Sequence, residues 1–359
     1  MSDWFPQVTR IRSIETHPNA NSLEIATVWD YPVCAKIGQY KVGDLVGYIP
    51  IDTIMPDTEE FHFLCPKNYE RKEDGTQVQA GPKYPVGSVP EKYRRIKAKK
   101  MLQVYSQGML VACPPGLNEG DSLVEVLGLT KWEEEEEENI PGAKRTGGAN
   151  ALPPPNGWRV PHYDLKGIRQ YVNCLQAGEE VLLTEKIHGA NASFSHDGSS
   201  LWVKSRKLFK KRDPDDMWWD VALRNDFESK MSKFPHIAFF GELYGNVKGF
   251  RYDTVIEHGK LLSRVRFFDA YDTHTNRYLD YDDFVAMVMS MGLDLAPVLY
   301  RGPWLGKEEM FRYAEGTSTL NPKHVREGWV LSTVKERYEP RLQSRMKVKL
   351  VSEGYNLQK

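Results

Sequence analysis

The stretch that decides the fold is LLTEKIHGANASF, residues 182–194. The apolar run that leads into it predicts a buried strand ending at Lys186, and a second strand-like run begins at Ala192. A lysine at the end of a buried strand is partly desolvated, which lowers the pKa of its amine and lets it act as a nucleophile. Gly189 allows a sharp turn and the close approach of a phosphate or sugar. Taken alone, Lys-x-x-Gly also fits an ordinary turn with a solvated lysine.

Length and composition predict a soluble protein of two domains. The chain has 359 residues, 48 Lys and Arg against 49 Asp and Glu, and four scattered cysteines without a Cys-x-x-Cys pair. These cysteines argue against a disulfide framework or a zinc site and favour a reducing, cytoplasmic location. We find no apolar run of membrane-spanning length and no signal-peptide core in MSDWFPQVTR, so no membrane partner is expected. With a net charge of -1, any nucleic acid must be held by local basic patches.

Residues 8–55 alternate apolar and polar side chains between turn signals, which predicts a small β-barrel. The segments HPNANSLEIATV (17–28) and KVGDLVGYIP (41–50) resemble the oligonucleotide-binding (OB) barrel of tRNA-binding modules, although a generic barrel remains the alternative. Residues 56–93 show little periodicity and are predicted to form a long loop. A basic cluster follows that either tracks a phosphate backbone or protects a strand edge: Arg94, Arg95, Lys97, Lys99 and Lys100.

The six glutamates at 133–138 and the Pro/Gly-rich residues after them predict a linker. An alternative role for the acidic run is to mimic nucleic acid. We predict an OB-like domain at 1–132, a linker at 133–157 and a second domain at 158–359. From residue 158 onward strand and helix patterns mix, with helices predicted at 214–232 and 281–292, so the chain is assigned to the α+β class.

Six short motifs follow one another in the second domain. They are Lys186-x-x-Gly189, Ser205-Arg206, Gly241-Glu242-Leu243, Phe267-Phe268-Asp269, Glu327-Gly328-Trp329-Val330 and Lys347-Val348-Lys349. In this order and spacing they resemble the covalent nucleotidyltransferases, meaning polynucleotide ligases and mRNA capping enzymes. The resemblance implies an ATP-grasp-like ligase domain of antiparallel sheets with flanking helices.

The resemblance implies that Lys186 attacks the α-phosphate of a nucleoside triphosphate. Lys347 and Lys349 would lower the pKa of Lys186 and neutralise the phosphate oxygens. Mg²⁺ or Mn²⁺ would bridge the phosphates through waters ordered by Glu327 or Glu242.

Three further roles follow from the same resemblance. Glu242 would also accept a hydrogen bond from the ribose. Arg206 would hold a phosphate or a nucleic-acid end. Phe268 would stack on the purine, although in an apolar strand it could equally be a core residue.

The sequence Glu185-Lys186-Ile187-His188-Gly189-Ala190-Asn191 looks like the nick-sealing type of RNA ligase. In that group the residues matching His188 and Asn191 matter for sealing, while a packed turn histidine and a turn-capping asparagine are the alternatives. The backbone or side chain of Glu185 would read the adenine amino group, which favours ATP over GTP. Lys166 or Arg169 would contact the outgoing or 5′-terminal phosphate.

An OB-like domain ahead of this catalytic domain is similar to RNA ligase family five, whose catalytic domain resembles RNA ligase 2. DNA ligases and capping enzymes carry their OB domain after the last motif, where this chain has only residues 350–359. We therefore expect a monomeric ATP-dependent RNA ligase that seals 3′-hydroxyl and 5′-phosphate ends of RNA, in a nicked duplex, during RNA repair. The alternatives are a DNA ligase, a capping guanylyltransferase and a non-catalytic OB-fold RNA-binding protein.

Overall fold

The structure is a computed structural model that describes residues 4–72, 76–132, 151–152, 160–245, 255–257 and 260–358. The chain divides into two compact units, residues 1–134 and 135–358. Most of the predicted linker lies outside the described residues, so the domain bounds stay a prediction. Within the described residues, no helix is long and apolar enough to cross a membrane.

The amino-terminal unit is built on a five-stranded antiparallel sheet. Side chains alternate between more and less buried positions along residues 23–28, as predicted from the sequence LEIATV. The buried side chains of the sheet pack into two apolar clusters. In sheet order the strands are β10 (Met109–Ala112), β4 (Leu45–Ile49), β1 (Gln7–Thr16), β2 (Leu23–Val28) and β3 (Tyr31–Lys36). Two short pairs accompany it, β5 (Thr53–Ile54) with β11 (Thr130–Lys131) and β8 (Lys99–Met101) with β9 (Val104–Ser106).

The prediction of a long loop at 56–93 is wrong. This segment contains a 3-10 helix (Glu59–Leu64), a hairpin of β6 (Lys67–Arg71) and β7 (Gln77–Pro82), and the one-turn helix α1 (Glu91–Arg94). Both hairpin strands are almost wholly exposed, with no buried residue in either. Because neither face is buried, the apolar alternation that identifies a strand in a sequence is missing.

The second unit contains a seven-stranded and a five-stranded sheet. The large sheet consists of β12 (Ala151–Leu152), β17 (Phe209–Lys210), β16 (Leu201–Ser205), β15 (Ala190–His196), β18 (Ile237–Tyr244), β21 (Arg264–Asp272) and β22 (Arg277–Tyr278). The small sheet consists of β13 (Lys166–Gly167), β27 (Lys347–Val351), β24 (Gly328–Thr333), β14 (Glu180–Glu185) and β23 (Val298–Pro303). Two hairpins are separate, β19 (Val255–Glu257) with β20 (Lys260–Leu262) and β25 (Tyr338–Glu339) with β26 (Ser344–Arg345).

Helices cover the outer faces of these sheets. The predicted helix at 214–232 is broken into α2 (Met217–Arg224) and α3 (Phe227–Met231) by Asp226, whose φ is 52°. The amphipathic helix predicted at 281–292 is present as α4 (Tyr281–Ser290) and is followed by Gly292 at φ 65°. Two more helices are α5 (Lys307–Arg312) and α6 (Glu353–Gln358), and two 3-10 turns lie at Ile168–Gln170 and Val172–Cys174.

The core of the large sheet fixes which residues face the site. Val265 and Phe267 on β21 and Phe239 and Leu243 on β18 point into the core formed with α2, α3 and α4. Because side chains alternate along a strand, Glu242 between them faces the opposite side of this sheet.

Candidate active site

Lys186 leaves the end of β14 beside the start of β24. Its backbone N–H donates to the Gly328 carbonyl at 3.0 Å, and its Nζ donates to Glu327 Oε1 at 2.7 Å. The side chain of Lys186 is 25% exposed, whereas that of Glu327 is 9% exposed. The predicted nucleophile is thus reachable, and the strand pairing of β14 with β24 holds it against the motif that contains Glu327.

The pKa of Lys186 is raised, in contrast to the predicted lowering. Burial of the amine lowers its pKa, but the carboxylates of Glu327 and Glu242 raise it by more, while Arg206 acts in the lowering direction. The expected lowering of the Lys186 pKa by Lys347 and Lys349 is therefore not what this arrangement shows. The sequence pattern displayed the lysine at a buried strand end but not the carboxylate that binds it.

Gly189 is required by the close approach of the turn after Lys186 to β18. A Cβ at this position would lie 2.0 Å from the Leu243 carbonyl oxygen and 2.8 Å from Glu242 Cγ, which no side chain can occupy. Asn191, at the start of β15, is the direct cross-strand partner of Glu242. The structure thus brings Gly189, Asn191 and Glu242 together, where the start of β15 pairs with the end of β18.

Phe268 sits at a β-bulge. The pairing of β18 with β21 slips here, so that Phe240 faces Asp269 and Gly241 faces Phe267, leaving Phe268 as the extra residue. Its half-buried ring packs against the small cluster formed by Ile187, Tyr244 and Ala296. Bulges re-aim side chains next to active sites. Phe268 is therefore turned toward the motif that carries the lysine, as a base-stacking residue must be.

Asp269 binds Lys347, a contact the sequence analysis did not predict. Lys347 Nζ lies 2.7 Å from Asp269 Oδ2, and both side chains are at least 94% buried, with exposures of 6% and 4%. Arg345 also binds Asp269 at 2.7 Å, and the Tyr163 hydroxyl donates to it at 2.6 Å. Burial would raise the pKa of Asp269, but Arg345 and Lys347 hold it below its usual value.

Lys347 and Lys349 both project from the same side of β27, because Val348 between them points into the core of the small sheet. Burial, together with Arg345, lowers the pKa of Lys347 despite its pairing with Asp269. Lys349 is half-buried and pairs in register with Val330 of β24. Both lysines are thus presented on the strand beside the motif of Glu327.

Arg206 follows β16 and lies 3.4 Å from Asp164, with 30% of its side chain exposed. Lys204 on the same strand is buried and donates to the Arg206 carbonyl at 3.0 Å. Burial lowers the pKa of Lys204 to about 8. The predicted phosphate-binding arginine is thus accessible, and a buried lysine holds its backbone.

The Glu185 carboxylate is bound within the protein. Its side chain is fully buried, and it accepts hydrogen bonds from the Ser318 hydroxyl at 2.5 Å and from the Thr319 N–H at 2.8 Å. The proposal that the side chain of Glu185 reads adenine is therefore not supported by this arrangement. The alternative reading through the backbone near Glu185 stays a prediction.

His188 lies in the turn after Lys186 and is hydrogen bonded through Nδ1 to the hydroxyl of Tyr355. Tyr355 belongs to α6, which the sequence analysis missed because a six-residue helix carries too little periodicity. The histidine is thus held from the carboxyl-terminal end of the chain.

The predicted RNA contacts of the basic cluster divide into two groups. Arg94 donates to the Val89 and Met55 carbonyls, and Arg95 binds Asp52 at 2.5 Å with its guanidinium 4.9 Å from the Trp132 ring. These arginines hold the amino-terminal unit together, which leaves three exposed members: Lys97, Lys99 and Lys100.

Lys166 and Arg169 also have internal contacts. Lys166 Nζ donates to the Leu342 carbonyl at 2.8 Å, whereas the Arg169 guanidinium lies 3.8 Å from Glu353 and 5.3 Å from the Phe311 ring. Both side chains are thus engaged within the protein, and a phosphate contact by Lys166 or Arg169 stays a prediction.

Comparisons with known proteins find similarity in both parts of the chain. Residues 179–349 match the RNA ligase family model, and residues 5–81 match an OB-fold domain model. A variant of Naegleria gruberi RNA ligase with ATP and Mn matches at 20% identity and a TM-score of 0.76, covering 99% of each chain. The Naegleria gruberi RNA ligase with PPi matches at 20% identity and a TM-score of 0.74, covering 98% of this chain and 97% of that one. No curated protein matches the sequence.

The fold is therefore that of the solved RNA ligases, and residues 5–81 and 179–349 are similar to an OB-fold domain and an RNA ligase domain, respectively. This confirms the predicted fold class and the predicted resemblance.

Proposed function

We propose that this protein is an ATP-dependent RNA ligase that joins a 3′-hydroxyl end to a 5′-phosphate end through a lysyl-AMP intermediate. The observation that carries the proposal is the accessible Lys186 amine in an RNA ligase domain, 2.7 Å from Glu327. ATP as the nucleotide is supported by structural relatives that carry ATP, AMP or PPi.

In the first step the Lys186 nitrogen bonds to the α-phosphorus of ATP, the bond from that phosphorus to the β-phosphate oxygen breaks, and pyrophosphate leaves. The amine must first lose its proton, and its raised pKa means that it holds that proton at rest. Glu327 accepts the hydrogen bond of the amine and is placed to receive the proton. Nucleotide binding must therefore change this contact before attack.

The residues present suit a divalent cation held mainly through water. Glu327 and Glu242 are the two carboxylates whose charges act on the Lys186 amine. Within the described residues, no group of three or more His, Cys, Asp or Glu side chains is arranged to hold a metal directly. Mg²⁺ commonly keeps several waters and takes one or two carboxylates, which fits this pair. When bound there, the cation supplies positive charge that favours a neutral amine and neutralises the phosphates.

The side chains around Lys186 provide the remaining nucleotide contacts. Lys347 and Lys349 on β27 and the exposed part of Arg206 would neutralise phosphate oxygens. Phe268, turned out by the bulge, would stack on the adenine, and Glu242 would accept a hydrogen bond from the ribose.

The later steps transfer AMP to the RNA 5′-phosphate and then displace it. The 5′-phosphate oxygen attacks the phosphorus of lysyl-AMP and the lysine leaves. The 3′-hydroxyl then attacks the 5′-phosphorus, AMP leaves, and a phosphodiester bond remains. We propose that the OB-fold domain binds the RNA strand and that the substrate is a nicked duplex. The proposed biological role is RNA repair.

A monomer in the cytosol is part of the same proposal. All four cysteines are free thiols, and Cys65 and Cys174 are buried, which is compatible with a reducing compartment.

The test is to mix the purified protein with Mg²⁺ and α-labelled ATP or GTP and to separate it on a denaturing gel. We expect an ATP-specific labelled band that is absent in Lys186→Ala and retained in Lys233→Ala, which replaces an exposed lysine. Labelling by GTP alone would indicate a capping enzyme. Sealing that is equally efficient with ribose or deoxyribose at the 3′ end would indicate a DNA ligase. Absence of any covalent nucleotide, in protein shown to be free of bound AMP, would favour a non-catalytic RNA-binding protein.

A further inference from the structure

The contact between His188 and Tyr355 joins the turn of the nucleophile to the last helix. The Tyr355 hydroxyl is hydrogen bonded to His188 Nδ1, the two ring centroids lie 5.7 Å apart, and Tyr355 is 3% exposed. The hydrogen bond restricts rotation of the imidazole and occupies one of its two nitrogens.

Helix α6 is itself attached to the site. The Ser352 N–H donates to the Glu327 carbonyl at 2.8 Å, and the Ser352 hydroxyl donates to the Arg326 carbonyl at 2.7 Å. The Tyr355 N–H donates back to that hydroxyl at 3.1 Å. Glu315 accepts from the Glu353 N–H at 2.8 Å. The tyrosine hydroxyl is therefore placed by backbone that also carries Glu327.

We propose that Tyr355 is a positioning residue that orients His188 for the steps after lysine adenylylation. The inference rests on the proposed function and deepens it. Its geometric basis is that Lys186 makes its hydrogen bond to Glu327, while His188 is held by a different element of the chain. Removal of the Tyr355 hydroxyl therefore leaves the lysine and its carboxylate in place and removes this hydrogen bond from the imidazole.

The consequence is a separation of the two half-reactions. Lysine attack on ATP needs Lys186, and it should tolerate a reoriented imidazole two residues away. Transfer of AMP to RNA places the 5′ end of the polynucleotide against this same turn, where a misoriented His188 costs an interaction in the transition state. Loss of one such hydrogen bond corresponds to roughly a tenfold change in rate.

The test compares Tyr355→Phe with wild type in two separate assays. The first measures lysyl-AMP formation from labelled ATP, and the second measures sealing of pre-adenylylated nicked RNA without ATP. Tyr300→Phe is the matched control, because it removes a tyrosine hydroxyl that donates to the Pro303 carbonyl at 2.7 Å on the edge strand β23. We expect Tyr355→Phe to form lysyl-AMP within about threefold of wild type and to seal about tenfold more slowly.

A double-variant comparison makes the result specific to His188. If Tyr355 acts through His188, then Tyr355→Phe in a His188→Ala background adds no further loss of sealing. Equal loss in both assays, additive losses in the double variant, or wild-type sealing by Tyr355→Phe would each overturn the proposal. Failure of the proposed function is distinguishable, since wild-type protein would then form no lysyl-AMP.

Discussion

Lys347 and Asp269 form a buried ion pair, with Nζ and Oδ2 2.7 Å apart, that joins the small sheet to the large one. The pair fixes a proposed phosphate-binding lysine at the residue that follows the bulge of Phe268. The Asp269 carboxylate thereby sets the position of the Lys347 ammonium group. It also lies next in the chain to Phe268, whose ring is proposed to stack on the base of the nucleotide.

Replacement of this carboxylate should damage both stability and adenylylation. Asp269→Asn leaves Lys347 without its carboxylate partner in a buried site, whereas Arg345 keeps its ion pair with Glu336, so we expect a loss of about 3 kcal/mol in the free energy of unfolding. Adenylylation should also slow, because Lys347 is no longer held. Denaturant unfolding and labelling with ATP measure the two effects.

The control is Asp282→Asn, which breaks an exposed ion pair of the same 2.7 Å length with Arg301. Exposed pairs contribute at most about 1 kcal/mol, and this one lies away from the site. Equal destabilisation by the two variants would contradict a special role for the buried pair.

Gly189→Ala should impair the site through its backbone. The added Cβ would lie 2.0 Å from the Leu243 carbonyl oxygen, so the turn must move away from β18. We expect lysyl-AMP formation to fall by at least about tenfold. Gly354→Ala is the control, since its Cβ meets its nearest neighbour at 3.4 Å. A Gly189→Ala protein as active as wild type would show that the close approach is not needed.

Because of Lys204, the free energy of unfolding should depend on pH in the alkaline range. Its folded pKa of about 8 lies below the ordinary 10.5, so between these values the unfolded state binds more protons and the stability of wild type rises with pH. Lys204→Met removes the buried charge but also the hydrogen bond to the Arg206 carbonyl. We therefore expect a net rise of about 2 kcal/mol in the free energy of unfolding near pH 7. This advantage should shrink as the pH rises from about 8 to about 10.5. Denaturant unfolding across this range measures it, and an advantage independent of pH would contradict the buried charge.

The three exposed lysines of the basic cluster should contribute to RNA affinity and not to adenylylation. We expect Lys97→Ala/Lys99→Ala/Lys100→Ala to weaken RNA binding and to reduce the slope of log affinity against log salt by about 2. Filter binding at several salt concentrations measures the slope. Lys36→Ala/Lys41→Ala, which removes exposed lysines from the same unit, should leave the slope unchanged. An unaltered slope in the triple variant would place the RNA elsewhere.

The sequence was sufficient for features that depend on local patterns. The strand that leads into Lys186 was predicted because its run of apolar residues is read directly from the chain. The exact ends of strands were not predicted: β18 continues past Glu242 to Tyr244, and Arg206 lies just past the end of β16. Such end positions depend on pairing with neighbouring strands and are the least certain part of a sequence prediction.

Features that depend on distant partners could not be predicted. The raised pKa of Lys186 comes chiefly from Glu327, 141 residues away, and Asp269 meets Arg345 at a separation of 76 residues. The bulge at Phe268 is a property of the register between two strands, which one strand's sequence does not encode. The motif order could indicate the chemistry, but only the fold shows which charges offset one another.

The central claim is that Lys186 is the residue that carries AMP, and peptide mapping by mass spectrometry tests it most directly. Wild-type protein is incubated with ATP and Mg²⁺, digested under non-acidic conditions and searched for AMP-modified lysines. We predict modification of the peptide containing Lys186, removed by added pyrophosphate and absent in Lys186→Ala. Modification of another lysine, such as Lys204, or AMP retained by Lys186→Ala, would contradict the account.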